Sequence, residues 1–323
     1  MLMQRRNTLG WLAMLALTSH AQAQTLGGEG IRIVSPFPPG GPVDVLARML
    51  ASGLSERYKQ SAVVENLVGA AGNIGIEKVK RAKADGQTLL VVPAGNLTIN
   101  PTLMPNFPFN IERDFVPVTM LAKAPNVLLT HPSLKVSNVR ELIALAKAKP
   151  GTLAYASPGV GSGLHLAGEL FKQQAGIDLL HVPYKGTGPA LNDVLGGQVP
   201  LMFSNLPATL AYIKSGKLVA LGVTDAVRSA TAPEIPTIAE QGTSGVLVTS
   251  WYGLLAPAGT PAATAERLAR DAADILGQPT TREQLKAQGL TEVFMKPTDF
   301  GAHIRSETAH WARIIKARNI VAE

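Results

Sequence analysis

The sequence predicts an α/β protein made of two lobes, and three observations lead to this prediction. Short β-branched runs alternate with helical patterns between residues 31 and 93, and a second alternating set follows from about residue 124 to 224. Alternation of this kind is typical of sheets with parallel strands. The 323-residue chain also exceeds the roughly 100 to 200 residues of a single domain. Finally, one strand–turn–helix segment of similar design occurs in each set.

The first residues predict an export signal. Arg5 and Arg6 precede an apolar run at 9–17, and small residues flank one spacer at Ala21 and Ala23. The apolar run is well short of the roughly 20 residues that cross a membrane. We therefore interpret residues 1–23 as a Sec signal peptide that is cleaved after Ala23, with twin-arginine export as the alternative. The rest of the chain is expected to act outside the cytoplasm.

Each element of the first set follows from its own pattern. Apolar residues at 43, 46, 47, 50 and 54 form one stripe of a helix over 43–57. A second helix is predicted at 74–82, and strands are predicted at 31–35, 61–65 and 88–93.

The second set is predicted to contain strands at 127–130, 153–156, 179–182, 199–203 and 218–223 and helices at 139–148, 164–174, 189–195 and 206–215. A strand at 246–256 and two amphipathic helices at 262–276 and 299–317 follow. We expect these two helices to cover the first lobe.

Composition excludes several classes of function. Hydrophobic residues make up 46% of the chain, as in globular proteins. The chain has no cysteine, which excludes disulfides and thiolate metal sites. Its formal charge is +7, without a basic cluster that carries interleaved aromatic residues, so we expect no nucleic-acid partner. The histidines show no metal-binding spacing, and we expect neither a metal nor a cofactor.

Two glycine-rich turns are the candidate binding elements. A helix N-terminus exposes unpaired N–H groups and a partial positive charge, so a turn that leads into a helix can hold an anion without a charged side chain. Both turns follow strands, at the edge where open α/β sheets bind ligands. A third candidate turn spans 185–189. The residues expected to contact a ligand are Phe37, Pro39, Gly40 and Gly41 in the first turn and Ser157, Gly159, Gly161 and Ser162 in the second.

The ends of these turns carry helix-starting residues and no catalytic motif. Gly41 suits an N-cap, and Ser162 can cap the second helix. The G-x-S-x-G pattern of hydrolases is absent around Ser162, because Val160 and Leu164 stand at the glycine positions. Neither the second nor the third turn completes a dinucleotide fingerprint, because Leu164 and Leu191 stand at the third glycine position. His165, in the first turn of the second helix, is expected to contact the ligand. Such turns can also merely connect strand to helix, and the matched pair favours binding.

Several segments together span nearly everything after the predicted signal. They are IVSPFPPGGPVD at 33–44, VEN at 64–66 with GAAGN at 69–73, YASPGVGS at 155–162, HVPYKG at 181–186, VT at 223–224 before EIPT at 234–237, and WYG at 251–253. In this combination the chain resembles the Bug or TctC-type receptors of tripartite tricarboxylate transporters.

The resemblance implies a type II periplasmic-binding-protein fold, in which two crossing strands join two α/β lobes and the ligand cleft lies between them. We place the crossing strands near 118–129 and 246–255. The first lobe is then expected at 24–123 plus 247–323, and the second lobe at 124–246.

The resemblance also implies a monomeric receptor that captures a small organic carboxylate in the periplasm and delivers it to membrane transporter subunits, without catalysis. Backbone amides of the two turns and ordered waters would grip the carboxylate. Specificity would come from the side chains of Asn96, Thr98, Tyr184, Asn205 and Trp251.

One position departs from the pattern of the family. Relatives often carry an acidic residue before Asn205, linked to recognition of an amino group, whereas this chain has Ser204. An amino acid is therefore less expected as the ligand. Two alternatives stay open: a sensor of the same fold that signals to a membrane kinase, and a hydrolase that uses the cleft.

Overall fold

The computed structural model describes residues 30–321, and the predicted signal peptide lies outside them. The strands are β1 (Ile31–Ser35), β2 (Ala62–Asn66), β3 (Thr88–Pro93), β4 (Phe115–Ala124), β5 (Asn126–Thr130), β6 (Ala154–Ser157), β7 (Leu180–Pro183), β8 (Leu201–Asn205), β9 (Val219–Val223), β10 (Ser250–Pro257) and β11 (Thr291–Glu292). The helices are α1 (Pro42–Tyr58), α2 (Asn73–Lys80), α3 (Ala94–Thr98), α4 (Asn100–Leu103), α5 (Ile111–Asp114), α6 (Val139–Ala148), α7 (Gly163–Ala175), α8 (Thr187–Leu195), α9 (Leu206–Lys214), α10 (Ala262–Leu276), α11 (Pro279–Ala287) and α12 (Pro297–Ala317).

The first sheet has the strand order β2-β1-β3-β10-β4-β11, and we call it with its helices the first lobe. Strand β1 pairs in parallel with β2 and β3, whereas β10 is antiparallel to both of its neighbours. The predicted apolar stripe of α1 is confirmed, since Val43, Leu46 and Leu50 are buried in one core with residues of α10. Helices cover both faces, which explains why β3 is apolar at four consecutive positions, 89–92.

The second sheet, which with its helices forms the second lobe, has the order β7-β6-β8-β5-β9. Strand β6 is parallel to β7 and β8, and β5 is antiparallel to β8 and β9. One face packs against α6 and α7 around the buried rings of Tyr155, Phe171 and Phe203. The other face packs against α8 and α9. The predicted alternation of strands and helices is therefore confirmed, with antiparallel strands added to each parallel core.

Strand β4 carries the chain from the first sheet to the second. It ends at Ala124, and β5 begins at Asn126 in the other sheet. Pro125 stands at the break, where its missing N–H cannot continue a ladder. The second crossing is shorter than predicted, because β10 begins at Ser250 and not at 246. The carbonyl of Val248 instead accepts hydrogen bonds from two side chains, Asn126 Nδ2 at 2.8 Å and Thr224 Oγ1 at 2.6 Å.

The residue boundaries of the two lobes stay a prediction, and the change of sheet at Pro125 supports the one at 123. The expectation that two C-terminal helices cover the first lobe was incomplete. The sequence interpretation missed α11 and β11. The end of α12 also crosses to the second lobe, because 21 residues of helix extend about 30 Å. Its residues Trp311 and Ile315, with Ile320 beyond the helix, are buried in the core around Tyr155.

Candidate ligand-binding site

A cleft of about 840 Å³ lies between the lobes, at the edge where β1, β3, β6 and β8 end. Three strand-to-helix turns line it: turn 1 (residues 36–41), turn 2 (158–162) and turn 3 (184–188). The predicted site residues that line the cleft are Phe37, Pro39, Gly40, Gly41, Asn96, Gly159, Gly161, Ser162, Tyr184, Asn205 and Trp251. Thr98, Ser157 and His165 do not line it.

Turn 1 is held by a buried carboxylate. Gly41 is the N-cap of α1 and Pro42 its first residue, as predicted. Asp44 is only 4% exposed, and its Oδ2 accepts a 3.0 Å hydrogen bond from the Gly40 N–H. Burial acts to raise the pKa of Asp44, but hydrogen bonds from Arg48, Gly40 and Asn66 outweigh it and lower the pKa. The Gly40 amide is therefore engaged within the turn, which contradicts its predicted role as an anion donor.

Turn 2 also uses most of its own amides. The N–H of Gly159 donates to Ser157 Oγ at 3.2 Å, and that of Gly161 donates to His165 Nδ1 at 3.3 Å. Ser162 caps α7 as predicted, since its Oγ accepts from the His165 N–H at 3.1 Å. The first two N–H groups of α7, those of Gly163 and Leu164, have no intrahelical acceptor. Both residues line the cleft, so the donors for an anion lie just after the predicted turn.

A buried polar stack lies beneath turn 2 and includes two residues predicted to contact the ligand. The rings of His165 and His181 stack with centroids 4.3 Å apart, and His181 stacks on Tyr155 at 4.9 Å. Ser157 Oγ lies 2.7 Å from His181 Nε2. Burial lowers the pKa of His165 to about 4 and that of His181 to about 3. The prediction that Ser157 and His165 face the ligand is wrong, because both belong to the core of the second lobe.

Of the two predicted ligand-binding residues in α3, one lines the cleft and the other is buried. Asn96 lines the cleft, and its Nδ2 donates to the carbonyl of Ala71 at 2.8 Å. Thr98 is fully buried, and its hydroxyl donates to the carbonyl of Ala94 four residues earlier at 3.0 Å. The prediction for Thr98 is wrong, because this helix turns its side chain away from the cleft.

The floor of the cleft is a hydrogen-bonded network across both crossings. Asn205 Nδ2 and Ser250 Oγ each donate to Asn126 Oδ1 at 2.8 Å. The hydroxyl of Tyr252 donates to Asn205 Oδ1 at 3.2 Å. The network therefore links the end of β8 to the starts of β5 and β10. Of the predicted residues in this region, Asn205 has its amide engaged within the floor.

The remaining two predicted side chains also have partners within the protein. Tyr184 donates its hydroxyl to Asp193 Oδ2 at 2.7 Å, and burial followed by this bond raises the pKa of Tyr184 to about 12. Trp251 is 3% exposed, and its indole N–H donates to Glu307 Oε2 at 2.9 Å. Both side chains present fixed surfaces to the cleft.

Turns 2 and 3 each contact the first lobe across the cleft. A Cβ on Gly95 of α3 would overlap the carbonyl oxygen of Gly161 in turn 2 and lie 3.3 Å from Ser162 Cα. A Cβ on Gly186 of turn 3 would lie 3.6 Å from Pro38 of turn 1. Glycine at both positions permits this approach. The first contact also brings Asn100, a cleft residue that the sequence interpretation missed, against turn 2.

The charges of the cleft are few. Among the described residues that line it, Lys185 is the base and Glu307 the acid that carry formal charges, and no arginine is present. Lys185 is exposed in turn 3, whereas Glu307 lies on α12. Lys185 belongs to the third predicted turn, whereas Glu307 was not predicted. Between residues 30 and 321, no three metal-binding side chains gather into a possible ion site, and no helix has the length and apolar character to cross a membrane.

The model of the tripartite tricarboxylate transporter family receptor matches residues 46–320. The chain belongs to this family. It is 38% identical to protein BugT of Bordetella pertussis over 307 residues, which cover 95% of this chain and 94% of BugT. Its structure resembles that of a Rhodopseudomonas palustris protein with adipate, with a TM-score of 0.86 and 36% identity over 90% of this chain and 98% of that one. Periplasmic binding protein BugD is 33% identical, with a TM-score of 0.84 over 91% of this chain and 99% of that one.

These comparisons confirm the two-lobed periplasmic-binding-protein fold that the resemblance implied. They also confirm the Bug/TctC family. Members of this family are periplasmic receptors, which are not a class of enzymes.

Proposed function

We propose that this receptor captures a small organic carboxylate in its cleft and delivers it to a membrane transporter. The observation that carries the proposal is the start of α7, where Gly163 and Leu164, whose N–H groups have no acceptor within the helix, line a cleft that turn 1 closes from the other lobe. These donors, with the positive end of the helix dipole, suit a carboxylate that has no arginine to pair with. The adipate in the relative from R. palustris is a ligand of this class.

The other cleft residues serve orientation in this proposal. Phe37, Pro39 and Gly41 form the wall of turn 1, and Asn96, Tyr184, Asn205 and Trp251 shape the rest. Since each of these four side chains already has a polar atom engaged within the protein, we infer that they define the form of the cavity and that ordered water completes the contacts to the ligand. The ligand then holds the lobes together by contacting both.

A hydrolase is disfavoured by the chemistry of the cleft. Ser162, the serine that lines turn 2, donates its hydroxyl to the Gly159 carbonyl at 2.7 Å and accepts from the His165 N–H. The pair formed by Ser157 and His181 has the composition of a nucleophile and a base. Ser157 is 0% exposed and His181 6% exposed, so a substrate in the cleft cannot reach them.

Carboxylate capture is tested by thermal unfolding against a panel of mono- and dicarboxylates. A ligand at 100 times its Kd adds about 2.7 kcal/mol to the free energy of unfolding. The donor is tested by Gly163→Pro and Gly163→Ala. Proline is accepted at the first position of a helix and removes the N–H, while alanine keeps it, and a Cβ here meets only Val248 at 3.4 Å.

We expect Gly163→Pro to weaken binding of the best carboxylate about 10- to 100-fold, the worth of a hydrogen bond to a charged group. Gly163→Ala should stay within about threefold of the wild type. The proposal fails if no carboxylate raises the melting temperature, and the assignment of the donor fails if both variants bind equally.

A further inference from the structure

The cleft is lined by a carboxylate of the protein itself, that of Glu307, which two aromatic side chains hold in place. Glu307 projects from α12, and its side chain is 29% exposed. Its Oε2 accepts from the indole N–H of Trp251 at 2.9 Å, and its Oε1 lies 3.7 Å from His303 Nε2. The ring of His303 packs edge-on against Trp251, with centroids 5.3 Å apart. Glu307 is thus a positioned acceptor rather than a mobile surface charge.

The sheet places Glu307 away from turn 1. Trp251, its partner, stands beside Tyr252, which pairs with Pro93 at the carboxyl end of β3. Turn 1 follows β1 at the same edge, and the strand order β1-β3-β10 separates the two by two strand spacings, about 10 Å. A six-carbon chain with an oxygen at each end spans seven bonds, about 9 Å at roughly 1.3 Å for each bond, which is close to this separation.

The two charged residues of the cleft lie at different ends of it. Lys185 precedes Gly186, whose position meets Pro38 of turn 1, so Lys185 belongs to the end of the cleft that turn 1 closes. Glu307 stands two strands away. A ligand whose carboxylate is held between the start of α7 and turn 1 would therefore present its other end to Glu307. An ionised carboxylate only accepts hydrogen bonds, so a second carboxylate there meets repulsion, whereas a hydroxyl or an amino group can donate.

We propose that Glu307 determines specificity by selecting a monocarboxylate whose far end carries a hydroxyl or amino group over a dicarboxylate of the same length. This inference rests on the proposed function. Ser204 does not supply the acceptor, because it is fully buried and outside the cleft lining.

Calorimetric titration of matched ligands tests the inference. Adipate, 6-hydroxyhexanoate, 6-aminohexanoate and hexanoate share one carbon skeleton, and glutarate with 5-hydroxypentanoate repeats the comparison one carbon shorter. We expect the wild type to bind the better of the hydroxy and amino acids at least about 10-fold more tightly than the dicarboxylate. The two donor ligands separate a hydroxyl site from an ammonium site.

Glu307→Gln should reduce this preference to less than about threefold, because an amide both donates and accepts. Glu266→Gln is the matched control, since it removes the same charge from an exposed position of α10 and should leave the preference unchanged. Circular dichroism and melting temperature establish that both variants fold. If Glu307→Gln does not fold, the wild-type ratio alone decides.

Equal or tighter binding of the dicarboxylates by the wild type overturns the role of Glu307 and leaves carboxylate capture intact. A ratio that Glu307→Gln does not change overturns the role as well. Failure of every carboxylate to bind removes the proposed function and this inference with it.

Discussion

Replacing Gly95 with alanine tests whether the lobes close on the ligand along the contact between α3 and turn 2. The added methyl group would overlap the carbonyl oxygen of Gly161, so the lobes must stop about 1 Å short of this approach. Donors on one lobe then sit too far from a ligand held by the other. Losing one hydrogen bond to a charged ligand costs about 1.5–3 kcal/mol, which is about 10- to 100-fold in Kd.

The assay is calorimetric titration with the carboxylate that gives the largest thermal shift. Gly95 lies within α3, so alanine favours the helix by up to about 1 kcal/mol and the unliganded protein should not lose stability. Gly301→Ala in α12 is the control, because its methyl group finds Arg305 and Pro117 at 3.6 Å. Wild-type affinity in folded Gly95→Ala would refute closure along this contact.

Two further predictions concern stability. His165 and His181 have pKa values below that of an unfolded histidine, so the unfolded chain takes up more protons as the pH falls through about 6.5. Each histidine should lower the free energy of unfolding by about 2 kcal/mol when the pH falls from 7 to 5. Denaturant titrations at both pH values should therefore show that His181→Asn loses about half as much stability as the wild type. Equal stability of the wild type at both pH values would contradict the burial of the pair. Asp44→Asn should lower the free energy of unfolding by about 2 kcal/mol. The control Asp274→Asn, which removes an exposed ion pair, should lower it by less than about 1 kcal/mol. Equal losses would show that the buried Asp44 does not stabilise turn 1.

The turns were predictable because their signals are local. The glycine and proline at 41–42 favour a helix start through local backbone geometry alone, and Ser162 caps α7 by a hydrogen bond to a residue only three positions away. The parallel cores followed from alternation alone, and the order of strands within each sheet did not. Contacts such as that between β10 and β3 join segments about 160 residues apart, which no local pattern records.

The sequence prediction assigned the anion donors to the wrong amides. Side chains four residues further along the chain decide which backbone N–H groups are free. Asp44 takes the N–H of Gly40, and His165 takes that of Gly161. Whether such a side chain folds back depends on burial. For His165 a signal existed in the sequence: Leu164, Leu166 and Ala167 surround it, and such a helix start is buried nearly all round.

Glu307 could not have been found in this way. Its helix is amphipathic by pattern, but the pattern does not say that the cleft lies beside α12. Only the insertion of β10 between β3 and β4 brings Trp251 and Glu307 to the edge that turn 1 shares. If Glu307 selects the ligand as we propose, specificity depends on a helix whose sequence pattern indicates only ordinary packing.

The far end of α12 constrains how the receptor can open. Two backbone crossings would let the lobes bend or twist in several directions, but Trp311, Ile315 and Ile320 anchor the helix in the opposite core. Any movement that withdraws them exposes apolar surface to water, at roughly 1.5–3 kcal/mol for each large side chain. The inexpensive motion pivots about that anchor, so the mouth beside turns 1 and 3 swings widest and the side beside α12 stays nearly shut. Solute would therefore enter with its carboxylate end last to be enclosed.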